Sequence, residues 1–199
     1  MKQLTQELKS GNMKILEVPF PALNKGSILV RNYYSVISPG TEGKTVTDAR
    51  KGYVAKAKSR KKEFDKVLKM ISINGLIPTY KLVMNKLNAP SALGYSTSGE
   101  VIAVGENVTN FSVGDRVACG GNSASHADII AVPEKLAVRI PDNVPMDHAA
   151  FTTMASIAIQ GIRQSKLKIG ENCLIIGMGI IGQLTYKILE ASGVNPISI

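Results

Sequence analysis

The sequence predicts a mixed fold: a small, partly open β-barrel with a helical insertion, followed by the start of an α/β unit. Three observations carry that expectation. Short strand-like runs separated by Gly, Asp-Asn and Pro turns recur over residues 99–141. A segment with helical spacing interrupts the strand texture at about residues 44–90. An apolar run, a Gly-x-Gly-x-x-Gly turn and a helical pattern follow one another over residues 173–191.

The first strand signals are MKILEVP (residues 13–19) and SILVRNYYSVIS (residues 27–38). Asn24, Lys25 and Gly26 place a turn between them, which reads as an antiparallel pair. Leu68, Ile71, Leu76 and Ile77, then Leu82, Val83 and Leu87, fall near helical spacing; Gly75 and Pro78 divide them, giving two or three helices. GEVIAVG, FSVGDRVACGG, HADIIAVP and KLAVRIP are the barrel-type strands. Pro145 suits a first helical turn and Asp147 suits its positive end, so one helix is expected from there to about Arg163. NCLIIG then reads as a buried strand, residues 178–192 as a helix and NPISI as another strand.

Bulk properties narrow the class. The chain has 199 residues and 44% hydrophobic residues, enough to bury a real core. No apolar run reaches the roughly 18 residues of a membrane span, and the polar start lacks the apolar centre of a secretory signal. Cys119 and Cys173 are its 2 cysteines and do not form a close pair, which argues against a disulfide framework or a Cys-rich zinc lobe. Both read as small apolar side chains, and a reducing, cytoplasmic location is the expectation.

The glycine turn points to a ligand. Gly177 permits the tight turn, Gly179 lets the backbone approach a pyrophosphate, and Gly182 lets helix and strand pack closely. Backbone amides at Gly179, Ile180, Ile181 and Gly182, with the helix dipole behind them, favour phosphate charge. The strand before and helix after the turn are the context a dinucleotide site needs, against the alternative of a glycine-rich turn with no ligand. The acidic residue that reads the ribose is expected about 20 residues on, so NAD and NADP are not told apart. One βαβ unit is half of what a dinucleotide fold requires, and the chain is expected to be a fragment or a truncated product.

These residues resemble a known family. LGYSTSGEVIAVGENVTNFSVGDRV (residues 93–117), HADIIAVPEKLAVRIPDNVP (residues 126–145), the helix near Asp147 and the strand, glycine turn and helix follow the order found in medium-chain dehydrogenases/reductases. The resemblance implies a GroES-like substrate domain over residues 1–148, with a basic helical insertion at about 44–90. It further implies the incomplete start of a Rossmann domain over residues 149–199, and hydride transfer between a nicotinamide and a carbonyl, alcohol or activated alkene. YSVISPGTE (residues 34–42) and the insertion are similar to the branch with bacteriochlorophyllide dehydrogenase and the bi-domain oxidoreductases of polysaccharide clusters.

Zinc members of that family carry a cysteine before a Gly-Thr-Asp-like triplet, a Gly-His-Glu and a third ligand. Here Ser38 and Pro39 precede Gly40, Thr41 and Glu42; Tyr95 stands in the histidine position; and the third position falls near Thr153. Serine, tyrosine and threonine are not ordinary zinc partners, and His126, His148 and Cys119 are too scattered to replace them, so no zinc is expected. By the resemblance, Thr41 and Tyr95 supply hydroxyls for substrate orientation or proton transfer, with Glu42 behind them. Ordinary packing is the competing reading for each. His126 reads as structural and His148 as solvated.

The net charge of +9 concentrates between Lys44 and Lys69, where ten basic residues face only Asp48, Glu63 and Asp65. The simplest account is a solvated helical face. A small-molecule substrate, of anionic type such as a sugar nucleotide or lipid-linked species, is the functional one. Only Tyr53 and Phe64 are interspersed, which disfavours nucleic-acid binding. A catalytically inert scaffold using the insertion to bind an anionic partner is the alternative to the oxidoreductase. The resemblance implies a homo-oligomer. A lone βαβ unit also leaves apolar faces uncovered, so self-association is expected; a monodisperse monomer by light scattering contradicts it.

Overall fold

The structure, a computed structural model, describes residues 1–7, 10–43, 61–168 and 170–199. The sequence expectations for residues 44–60 lie outside the described residues. In chain order the elements are β1 (Lys2–Glu7), β2 (Met13–Glu17), β3 (Ser27–Ser35), α1 (Lys61–Asn74), α2 (Leu76–Asn88), β4 (Pro90–Ala92), β5 (Ser96–Val104) and β6 (Arg116–Gly120). There follow β7 (Ile129–Pro133), β8 (Ala137–Arg139), α3 (Met146–Ala149), α4 (Thr152–Ser165), β9 (Asn172–Ile175), α5 (Ile180–Ala191) and β10 (Asn195–Ser198). They form two compact units, one of Lys2–Glu17 and Pro39–Leu93, the other of Met1, Val18–Ser38 and Gly94–Ile199.

In the smaller unit β1 pairs antiparallel with β2 and with β4, in the order β2-β1-β4. The β1–β2 turn closes through Gly11 N to Glu7 O at 2.8 Å, and Lys14 Nζ donates to Glu7 Oε1 at 2.7 Å. That ammonium, and then the Ser10 hydroxyl, hold the Glu7 carboxyl below the usual carboxylate range. The expected pairing of β2 with β3 is corrected here. The turn at residues 24–26 forms, with Ser27 N donating to Asn24 O at 3.1 Å, but both sides of β3 are taken by β5 and β7. Pro19 and Pro21, which lack amide donors, lie in the connection instead. α1 and α2 break at Gly75, where the spacing places the division, and Pro78 sits in the first turn of α2.

The larger unit is built on a five-stranded antiparallel sheet in the order β7-β3-β5-β6-β8. β3 lies between β7 and β5, with Val30 opposite both Ile130 and Val101. Apolar side chains on one face form the core: Ile28, Val30, Val101, Val117, Val132 and Ile130, joined by Phe111 and Cys119. The barrel expected from the sequence opens out into a sheet, because β7 and β8 remain edges and do not pair with each other among the described residues.

The single helix expected from Pro145 to Arg163 is two helices. Ser96 Oγ donates to Ala150 O at 2.6 Å, and Ser98 Oγ to Met146 O at 2.5 Å. The Ala150 carbonyl is thereby engaged by a strand instead of the next helical turn, and α4 starts with Ala155 N donating to Phe151 O at 2.9 Å. β9 and β10 run parallel, Asn195 opposite Asn172 and Ser198 opposite Ile175, with α5 connecting them. Ile175, Leu189 and Val194 pack together on the helix side. β9 is buried on that face alone: Leu174 and Ile176 point the other way and are exposed, which corrects the expectation of a fully buried strand.

Candidate cofactor and substrate site

The glycine motif lies in the turn between β9 and α5. Gly177 has φ +96°, a left-handed conformation that side chains rarely adopt, and its amide donates to Ile199 O at 3.0 Å. Gly182 is the third residue of α5, and a Cβ there would collide with the Gly177 carbonyl oxygen. Gly179 is the reverse case: a Cβ on it would meet nothing within 4 Å. The turn is therefore closed where helix and strand pack and open where a ligand would approach.

The first backbone hydrogen bond of α5 is Gln183 N to Gly179 O at 2.9 Å. The amides of Gly179, Ile180, Ile181 and Gly182 precede it and have no acceptor within the helix. No acidic residue occupies the first turn of α5, so its positive end is not already compensated. Gln183 Nε2 instead donates to Met178 O at 3.0 Å and ties the turn to the helix. These features fit the pyrophosphate of a dinucleotide in shape and charge.

The same helix packs back on the strand sheet. Ile180 and Leu184 join Val36, Ala150 and Met154 in one cluster, with Tyr95 against it. Beside it opens a cavity of about 600 Å³, lined by Tyr34, Ser35, Ile37, Asp147, Gln183 and Lys187 among others. Tyr95 is half-buried just before β5, and Val36 N donates to Ser96 O at 3.0 Å alongside it. His126 Nδ1 and Ser35 Oγ share a hydrogen bond at 2.9 Å, and Asn32 Nδ2 donates to the Ser125 and Ala127 carbonyls at 3.2 and 2.8 Å. The Ser35–His126 pair and the Ser96 and Ser98 anchors escaped the sequence reading. Serines inside a strand-like run carry no periodic signal, and their partners lie far away in sequence.

Thr41 and Glu42 belong to the other compact unit, in a helical turn over residues 41–43 where Gly43 N donates to Pro39 O at 3.0 Å. Thr41 is exposed and Glu42 half-buried. At the positions where the resemblance puts zinc ligands, the donor chemistry does not fit the metal. Tyr95 packs into the apolar cluster, and Thr153 Oγ1 donates to Cys119 O at 3.5 Å. Burial pushes the Cys119 thiol up to about 12, and His148 is exposed on α3. No group of three His, Cys, Asp or Glu side chains with metal-binding geometry occurs among the described residues.

Residues 67–142 match the family described as the alcohol dehydrogenase GroES-like domain. (R,R)-butanediol dehydrogenase of Bacillus subtilis (strain 168) is 30% identical over an alignment of 133 residues that covers 55% of this chain and 38% of that protein. The quinone oxidoreductase of Coxiella burnetii superposes on 100% of this chain and 56% of its own, with a TM-score of 0.71 and 22% identity. The quinone oxidoreductase of Escherichia coli, solved with NADPH, superposes on 100% of this chain and 52% of its own, with a TM-score of 0.69 and 18% identity. The chain thus spans about two fifths to just over half the length of the proteins it matches, and the superpositions give its fold.

Proposed function

We propose that this chain, a member of the medium-chain dehydrogenase/reductase family, serves an NAD(P)-dependent oxidoreductase that works without zinc. The observation that carries the reading is the glycine turn into α5, open at Gly179 and closed at Gly182. Residues 1–148 act as the substrate-side domain and residues 149–199 begin the Rossmann domain. The substrate is a small molecule bearing a carbonyl, an alcohol or an activated alkene, in keeping with the butanediol dehydrogenase and quinone oxidoreductases above.

A nicotinamide cofactor, when bound, donates or accepts the hydride. The chain's own residues bind and orient. Amides at Gly179, Ile180, Ile181 and Gly182 would hold the pyrophosphate against the positive end of α5, and Gly177, whose own amide is held by Ile199 O, shapes the turn that presents them. A Lewis acid would contribute several kcal/mol to polarising a substrate oxygen; here hydroxyl donors take that part. Tyr95 and Thr41 orient the substrate oxygen or pass its proton, and Glu42 positions the turn that bears Thr41.

Calorimetric titration of NADH and of NADPH into the full-length protein, with metal analysis of the same sample, tests the reading. Binding of one cofactor without stoichiometric zinc is expected; binding of neither, or one zinc per chain, overturns it. In the same protein, Thr41→Ala and Tyr95→Phe should each lower kcat/KM by about 10- to 100-fold, the equivalent of one hydrogen bond to a charged or charging oxygen. Unchanged turnover in both variants removes these residues from the mechanism.

A further inference from the structure

Residues 66–99 contain four lysines (Lys66, Lys69, Lys81 and Lys86) and no acidic residue. Within this stretch α1 and α2 form a hairpin that turns at Gly75. A helical pair in a water-soluble protein ordinarily turns its apolar stripe inward. This one has apolar groups on two sides. Val67, Met70, Ile71, Val83 and Met84 are half-buried, and Thr79 is buried on the inner face of α2. At the turn, however, Ile73 is 79% exposed, Leu76 67%, Ile77 69% and Tyr80 64%. Leu68 and Leu82 continue the exposed set along the two helices.

The lysines are spaced to match. Lys69 lies four residues before Ile73 on α1, and Lys81 four residues after Ile77 on α2, both exposed. Four residues of helix rise about 6 Å, so each ammonium sits roughly one turn behind the apolar tip. An amphipathic element at a membrane surface needs this arrangement: its apolar part enters about 5–10 Å into the headgroup and acyl boundary, and lysines reach back to the lipid phosphates.

We infer that the tip of the α1–α2 hairpin docks into the surface of an anionic lipid bilayer, with Ile73, Leu76 and Ile77 inserted and Lys69 and Lys81 on lipid phosphates. Charge selects this occupant. A second copy would bring two hairpin tips of like charge together, since the acidic residues of α1, Glu63 and Asp65, lie in its first five residues, about two turns behind the tip. A soluble polyanion would meet the lysines and leave the four apolar side chains of the turn in water. The inference does not depend on the oxidoreductase reading.

Co-sedimentation of the full chain with vesicles of phosphatidylcholine, alone or mixed with phosphatidylglycerol, is the test. Binding is expected to the mixed vesicles and to fall as salt is raised. Lys69→Gln and Lys81→Gln should each lower the partition coefficient about five-fold. Leu76→Ser with Ile77→Ser should lower it at least about ten-fold, whereas Ile15→Ser, an exposed apolar residue on β2, should leave it unchanged. All variants alter exposed side chains, and an unshifted Tm verifies that they fold. The proposal fails if neither vesicle binds, if neutral and anionic vesicles bind alike, if the tip variant binds as the parent does, or if the tip variant instead abolishes a dimer seen by light scattering without vesicles.

Discussion

A Gly182→Val variant should lose cofactor binding by about a hundred-fold or more and melt at a lower temperature than the parent. Any side chain at this position starts with a Cβ that collides with the Gly177 carbonyl oxygen, a backbone atom that cannot rotate away. Relief requires α5 to lift from the end of β9, carrying with it the amides of Gly179, Ile180 and Ile181. Loss of two hydrogen bonds to phosphate charge, at about 1.5–3 kcal/mol each, accounts for the affinity. Gly179→Ala provides the contrast. Its Cβ enters open space and its φ of −70° suits alanine, so the melting temperature should hold while binding falls. Titration calorimetry and thermal melts on the two variants separate the effects. Wild-type affinity in both would remove the glycine turn from the site.

Gly99→Ala should be the most destabilising single methyl that the strand sheet can receive. Gly99 lies in β5 opposite Asn32 of β3, next to the register irregularity between Asn32 and Tyr34. Its Cβ would strike the Arg31 carbonyl oxygen and come within 2.9 Å of Val30 Cγ1. Val30 is fully buried, so neither neighbour has room to yield. Overpacking of this kind costs about 3 kcal/mol or more where backbone is involved. For a chain of this size that is a Tm decrease of roughly 6–12 °C, readable by circular dichroism. A shift under about 2 °C would mean that the nearby irregularity absorbs the strain.

How much of this could be read from residues alone depends on what signals each element. β5, β6, β7 and β8 are bounded by Gly, Asp-Asn and Pro turns and carry apolar residues at alternate positions, and all four are present. β1 is the opposite: KQLTQE has one strong apolar residue, and the side chains it buries are Thr5 and Gln6, so no hydrophobic alternation marks it. The break after α3 has no proline or glycine to announce it, because its cause, the Ser96 hydroxyl on the Ala150 carbonyl, lies about fifty residues earlier in the chain. The glycine turn was legible because two of its glycines answer to a backbone constraint, Gly177 by its positive φ and Gly182 by its contact with the Gly177 carbonyl. Thr41, Glu42 and Tyr95 were reached only by resemblance; hydroxyls and a lone carboxylate have no spacing of their own.

The tight seat of Cys119 has a kinetic meaning. Its thiol is 2% exposed on β6, beneath the core face of the sheet, and burial pushes it up to about 12. Alkylating reagents attack the thiolate, which is nearly absent at neutral pH in that seat. Modification therefore has to wait until β6 parts from its neighbours. The labelling rate of this one sulfur, followed at rising denaturant, becomes a stopwatch for sheet opening, with half-exposed Cys173 as the second hand on the βαβ segment.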